Sequence, residues 1–69
     1  MKVNFNERLK ELRLEKNMTQ KQLADIFNVG RVSITDWETR GNEPSYQTLA
    51  DLAKFFDVTV GQLLGVEDY

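Results

Sequence analysis

The feature that most constrains this chain is a gap of three residues. From Gln20 to Thr39 the sequence reads QKQLADIFNVGRVSITDWET. Two helical patterns sit there side by side. The first carries Leu23, Ala24 and Phe27 at the i, i+1, i+4 spacing of one helix face, and the second carries Ile34 and Trp37, three apart. Only Asn28, Val29 and Gly30 lie between them. So short a connection forces the two helices to cross at a steep angle and share one core. The far side of the second helix is then left facing solvent.

The rest of the chain supplies the partners for that pair. A first helix is expected from about Phe5 to Lys16, with Asn4 as cap and Glu7 in the N3 place of a capping box. Its Leu9 and Leu12 face inward, while Arg8, Lys10, Glu11 and Glu15 face outward. Asn17 suits the left-handed position after it. The second helix opens at Thr19, whose box partner is Gln22, and ends near Phe27, with Asn28 in a left-handed conformation. The third begins after Gly30 and ends near Thr39 or Arg40, with Gly41 as its stop. Ser45 caps a fourth helix with Leu49, Leu52, Ala53 and Phe56 on one face. A short fifth runs from about Val60 to Leu64, between a Thr59–Gln62 box and Gly65. No strand alternation of useful length is present. The expectation is an all-α chain of five helices forming a single domain over residues 1–69, with its core in 5–65.

Composition narrows the chemistry. The 69 residues include no cysteine and no histidine. Disulfides and thiolate metal sites are therefore impossible, and the commonest general base and metal ligand is absent. There is no glycine-rich phosphate loop and no converging carboxylate pair, so an enzyme is not expected, nor a cofactor or metal. No apolar run approaches the ~20 residues of a membrane span. The start, MKVNFNERLK, lacks the apolar stretch of a secretory signal, which points to a cytoplasmic location.

The net charge of −2 hides an asymmetry. Residues 1–40 hold eight basic and six acidic side chains, whereas residues 41–69 hold Lys54 alone against Glu43, Asp51, Asp57, Glu67 and Asp68. The half with the tightly linked helices is mildly basic. Local rather than net charge decides attraction to phosphate.

In combination these motifs resemble the phage-repressor and Cro type of helix-turn-helix domain, the lambda-repressor-like or xenobiotic-response-element family. The resemblance covers roughly residues 5–65. It is carried by Leu12-Arg13, Thr19-Gln20, Leu23-Ala24, Ile34, Trp37-Glu38, Pro44-Ser45 and Leu63-Leu64-Gly65. Three positions depart from the pattern. Asn28 stands where the turn usually has Gly, and Gly30 stands where the third helix is commonly capped by Ser. Gly41 falls one residue later than the usual Gly after the Trp, with Arg40 in its place.

The resemblance implies that the exposed face of the third helix enters the major groove of double-stranded DNA. Ile34 and Trp37 face the core, so the base-reading set is expected to be Arg31, Val32, Thr35 and Asp36. Arg31 can pair with guanine O6 and N7, and Val32 can pack on a thymine methyl. Thr35 can bond a base edge or a phosphate, and Asp36 can accept from a cytosine amino group. Gln20, Lys21, Ser33, Arg40 and Asn42 are the expected phosphate contacts, with Gln20 in the first turn of the second helix, where an anion is favoured. The resemblance also implies a structural ion pair of Arg13 with Glu38.

The expected function is sequence-specific DNA binding by a transcription regulator of the repressor type, as a homodimer on a palindromic operator. Val58, Val60 and Leu64 are candidates for the dimer face; the alternative is that they only close the core. A second reading is a protein-interaction module of the same fold, antitoxin-like or anti-repressor, which the acidic pI of about 5.0 and Asp36 favour. An end soon after the fifth helix suits a stand-alone regulator or an N-terminal domain.

Overall fold

The computed structural model describes residues 4–40 and 42–67. These form five helices, α1 (Phe5–Glu15), α2 (Gln20–Phe27), α3 (Arg31–Thr39), α4 (Tyr46–Phe55) and α5 (Val60–Leu64), and there is no strand among the described residues. Side-chain caps start four of them. Asn4 accepts from the Glu7 N–H and Ser45 from the Thr48 N–H, while Thr19–Gln22 and Thr59–Gln62 form complete capping boxes. Helix α3 starts at Gly30 with no side-chain cap.

Four helices stop in one way. Asn17, Asn28, Asp57 and Gly65 take positive φ of 56°, 55°, 59° and 80°. After each, a reaching N–H closes the end: Met18 to Arg13 O, Val29 to Ala24 O, Val58 to Ala53 O and Val66 to Gly61 O. This is the Schellman arrangement, in which an apolar residue follows the left-handed one. Met18, Val29 and Val58 then pack against the core. Asp57 does the work expected of Asn or Gly, a role its sequence context did not announce. Helix α1 ends at Glu15 rather than Lys16, because Lys16 (φ −89°, ψ 5°) already begins the turn. Gly41, the expected stop of α3, lies outside the described residues.

The core is Phe5, Leu9, Leu12, Leu23, Ala24, Ile34, Trp37, Leu49, Leu52, Ala53, Phe56 and Leu63. Every helix contributes, so no helix is stable without the others. Trp37 is buried, and its carbonyl accepts a 2.7 Å bond from Asn6 Nδ2, which ties α1 to α3. Arg8, expected to point outward, has a side chain only 13% exposed and pairs with Glu11 at 3.5 Å. The burial reaches into the guanidinium, whose Nε is covered. Phe27 is half-buried, edge-on to Phe55 at 5.6 Å between ring centres, and Phe55 meets Phe56 in the same way at 5.0 Å. Among the described residues no helix is long and apolar enough to cross a membrane.

Candidate nucleic-acid interface

Helix α3 sorts its residues by side. Ile34, Trp37 and Glu38 are buried, whereas Arg31 and Val32 are exposed and Ser33, Thr35 and Asp36 are half-buried. Val32 is 71% exposed, an apolar side chain turned to solvent. Arg31, Val32, Thr35 and Asp36 therefore form one outward strip, starting at the first residue of the helix.

Beneath that strip lies a chain of directed bonds. Arg13 Nε donates to Glu38 Oε2 at 2.7 Å and Nη2 donates to Oε1 at 3.1 Å, a fork-to-fork pair buried between α1 and α3. Arg13 Nη1 donates to the Met18 carbonyl at 2.7 Å, fixing the turn into α2. Glu38 Oε1 also accepts from Gln20 Nε2 at 3.1 Å. Gln20 Oε1 in turn accepts from the Thr35 hydroxyl at 3.1 Å, which lies 3.2 Å from the Arg31 carbonyl as well. The three helices are thus joined from Arg13 to Thr35 without a break. The sequence placed Gln20 at a phosphate. The structure spends its oxygen and one of its two N–H groups inside the protein and leaves the second N–H.

The other expected phosphate contacts sit around this bracket. Lys21 is exposed and pairs with Asp25 at 3.3 Å, and Arg40 is exposed and pairs with Asp36 at 3.5 Å. Such surface pairs are worth only ~0–1 kcal/mol, so a phosphate can replace either acid. Asn42 is exposed in the segment leading to Ser45. A shallow depression lined by Arg13, Leu14, Met18, Thr19, Gln20, Lys21 and Arg31 runs from the α1 end to the start of α3. Three of its residues, Gln20, Lys21 and Arg31, belong to the expected site. Val58, Val60 and Leu64 are half-buried and packed against the core. Val66 beside them is 64% exposed. The residues that sequence reasoning missed are Asn6, whose partner Trp37 depends on how α1 crosses α3, and Met18, whose backbone carbonyl accepts from Arg13 and so carries no side-chain signal.

Comparisons with known proteins place the fold in a family. A profile described as helix-turn-helix matches residues 9–63, and the chain belongs to that family. The HTH-type transcriptional activator BcrR of Enterococcus faecalis is 42% identical over 66 residues, covering 96% of this chain and 32% of the relative. The HTH-type transcriptional regulator AnsR of Bacillus subtilis is 38% identical over 61 residues, covering 88% of this chain and 53% of the relative. This chain thus spans a third to a half of their lengths. Among solved structures, the P22 c2 repressor protein in complex with a synthetic operator aligns with a TM-score of 0.84 and 26% identity, over 94% of this chain and 98% of that one. The fold is the phage repressor type, with α2 and α3 as the helix-turn-helix.

Proposed function

We propose that this chain is one DNA-binding domain over residues 1–69, with its core in 5–65, that recognises a specific double-stranded sequence and regulates transcription. The observation that carries this reading is the outward strip of α3. Arg31, Val32, Thr35 and Asp36 project from the N-terminal part of a short helix whose opposite side is buried. A strip of that width fits the major groove. Arg31 addresses guanine, Val32 a thymine methyl, and Thr35 and Asp36 base edges, while Gln20, Lys21, Ser33, Arg40 and Asn42 hold the phosphates. The operator complex of the P22 c2 repressor supports the DNA assignment.

One copy reads few base pairs, so we further propose a homodimer on a palindromic site, meeting through the α5 side with Val58, Val60, Leu64 and Val66. Simple occupation of a site is enough to repress, which is the mode we assign. Because BcrR is an activator, a reporter driven from the selected site is the measure of sign.

Selection of bound duplexes from a random pool at low salt tests the reading. The expected result is a palindromic consensus whose affinity falls steeply as salt rises, with a log–log slope of about −0.9 per phosphate neutralised. A pool that returns no consensus refutes it.

A further inference from the structure

Resting on the DNA-binding reading above, we propose that Thr35 meets DNA only as a hydrogen-bond acceptor, and that Glu38 imposes this polarity through Gln20. A threonine hydroxyl has one proton and two lone pairs. Two protein atoms stand within bonding distance of the Thr35 oxygen, the Arg31 carbonyl at 3.2 Å and Gln20 Oε1 at 3.1 Å. A carbonyl cannot donate. Gln20 could donate only if its amide were turned over, and Glu38 forbids that. Its carboxylate is gripped on both oxygens by Arg13, is 1% exposed, and only accepts, so it holds the nitrogen end of Gln20. The oxygen end is left to face Thr35. Whichever acceptor takes it, the hydroxyl proton points into the protein, and lone pairs alone point out.

In the major groove each base pair shows one amino group, adenine N6 or cytosine N4, while guanine O6 and thymine O4 only accept. A lone-pair donor at residue 35 selects an amino-bearing base on the strand it touches and rejects guanine and thymine there. Glu38 is then a positioning residue for specificity, acting from inside the fold without touching DNA.

The test compares consensus sequences selected from a random duplex pool by the 69-residue chain and by Thr35→Val. The position whose preference the variant flattens is the one residue 35 reads. Adenine or cytosine is expected there. Replacing that base by its analogue lacking the amino group should weaken wild-type binding about three- to tenfold, the worth of one neutral hydrogen bond. A 7-deaza purine should leave binding unchanged. In Glu38→Gln, checked for folding by circular dichroism, an amide can present N–H to Gln20 and let it turn, which removes the Gln20 acceptor and leaves the hydroxyl proton held by the Arg31 carbonyl alone, free to swing outward to a base. Guanine and thymine should then be tolerated at that one position, whereas a merely structural role would lower affinity evenly across positions. Should Glu38→Gln fail to fold, Thr35→Val and the base analogues still decide. Guanine or thymine in the wild-type consensus, an amino-free analogue that binds equally, or a Thr35→Val consensus identical to wild type overturns the polarity while leaving DNA binding intact. Failure to enrich any sequence at low salt removes the underlying reading, and this proposal with it.

Discussion

The two halves of this molecule are held together by different physics. The half made of α1, α2 and α3 contains a buried ion pair and a run of directed hydrogen bonds from Arg13 to Thr35. The half made of α4 and α5 contributes Leu49, Leu52, Ala53, Phe56 and Leu63 to the core, with Phe55 edge-on against Phe56. Apolar burial is non-directional and tolerates small shifts. A charged fork closed on a carboxylate does not. The rigid geometry lies under the strip proposed to face DNA, and the forgiving geometry lies away from it. The division is one of labour: packing supplies stability everywhere, and polar bonds supply orientation where orientation has a use.

The largest effect should come from breaking the polar half. Glu38→Ala leaves the Arg13 guanidinium buried without its carboxylate, and the loss should be about 3–5 kcal/mol in urea titration. A domain of this size has about 3–10 kcal/mol in total, so much of the variant should be unfolded at 25 °C. A loss under ~1 kcal/mol would mean that the pair orients without stabilising, and would sharpen the contrast further.

Leu52→Ala probes the other half. Leu52 is fully buried, and its truncation should cost about 3 kcal/mol through lost burial and the cavity left behind. The discriminating measurement is base preference at a temperature where the variant is folded. Leu52→Ala should keep the wild-type consensus. A changed consensus would show that orientation also depends on apolar packing and would break the proposed division.

The matched capping boxes give a finer comparison. Thr19→Ala and Thr59→Ala each remove one side-chain cap, at about 1 kcal/mol. The loss at Thr59 should be slightly the larger, because its hydroxyl also donates to Glu67. Thr19 adjoins Gln20 and the start of α2, so its loss should also weaken all duplexes several-fold, measured by fluorescence anisotropy. Thr59 starts α5, and its loss should leave affinity per folded molecule unchanged.

How much of this was legible beforehand follows the same division. The helices were readable because their starts and stops are local: Asn4, Thr19, Ser45 and Thr59 begin them, and Asn17, Asn28 and Gly65 end them. Side-chain period assigned Leu9, Leu12, Ile34 and Trp37 to the core, and Trp37 is there rather than offered to a base. The strip on α3 follows from the same period. The internal use of Gln20 was not readable, because the bonds to Glu38 and Thr35 span 18 and 15 residues and exist only once α2 crosses α3. Asn6 reaching the Trp37 carbonyl across 31 residues is hidden for the same reason. Arg8 misled because a charged residue at an outward position can still be covered by its neighbours, here to 13% exposure.

The smallest effect tests the one weak start in the directed half. Gly30 takes φ −75° and ψ 153°, which any residue adopts, and an added Cβ meets nothing within 4 Å. Gly30→Ser should therefore fit without strain. It gives α3 the side-chain acceptor it lacks and narrows the unfolded ensemble, together worth about 0.5–1 kcal/mol of added stability. Gly30→Asp should stabilise to a similar extent, since an acid also complements the helix N-terminus. The two differ at the interface. Residue 30 directly precedes Arg31, so a carboxylate there stands where phosphates approach. Gly30→Asp should bind every duplex more weakly, by about tenfold at low salt and less as salt screens the repulsion. Gly30→Ser should bind at least as well as wild type. If both variants gain stability while binding alike, residue 30 stands clear of the DNA backbone, and the proposed phosphate contacts lie elsewhere, at Gln20, Lys21 and Arg40.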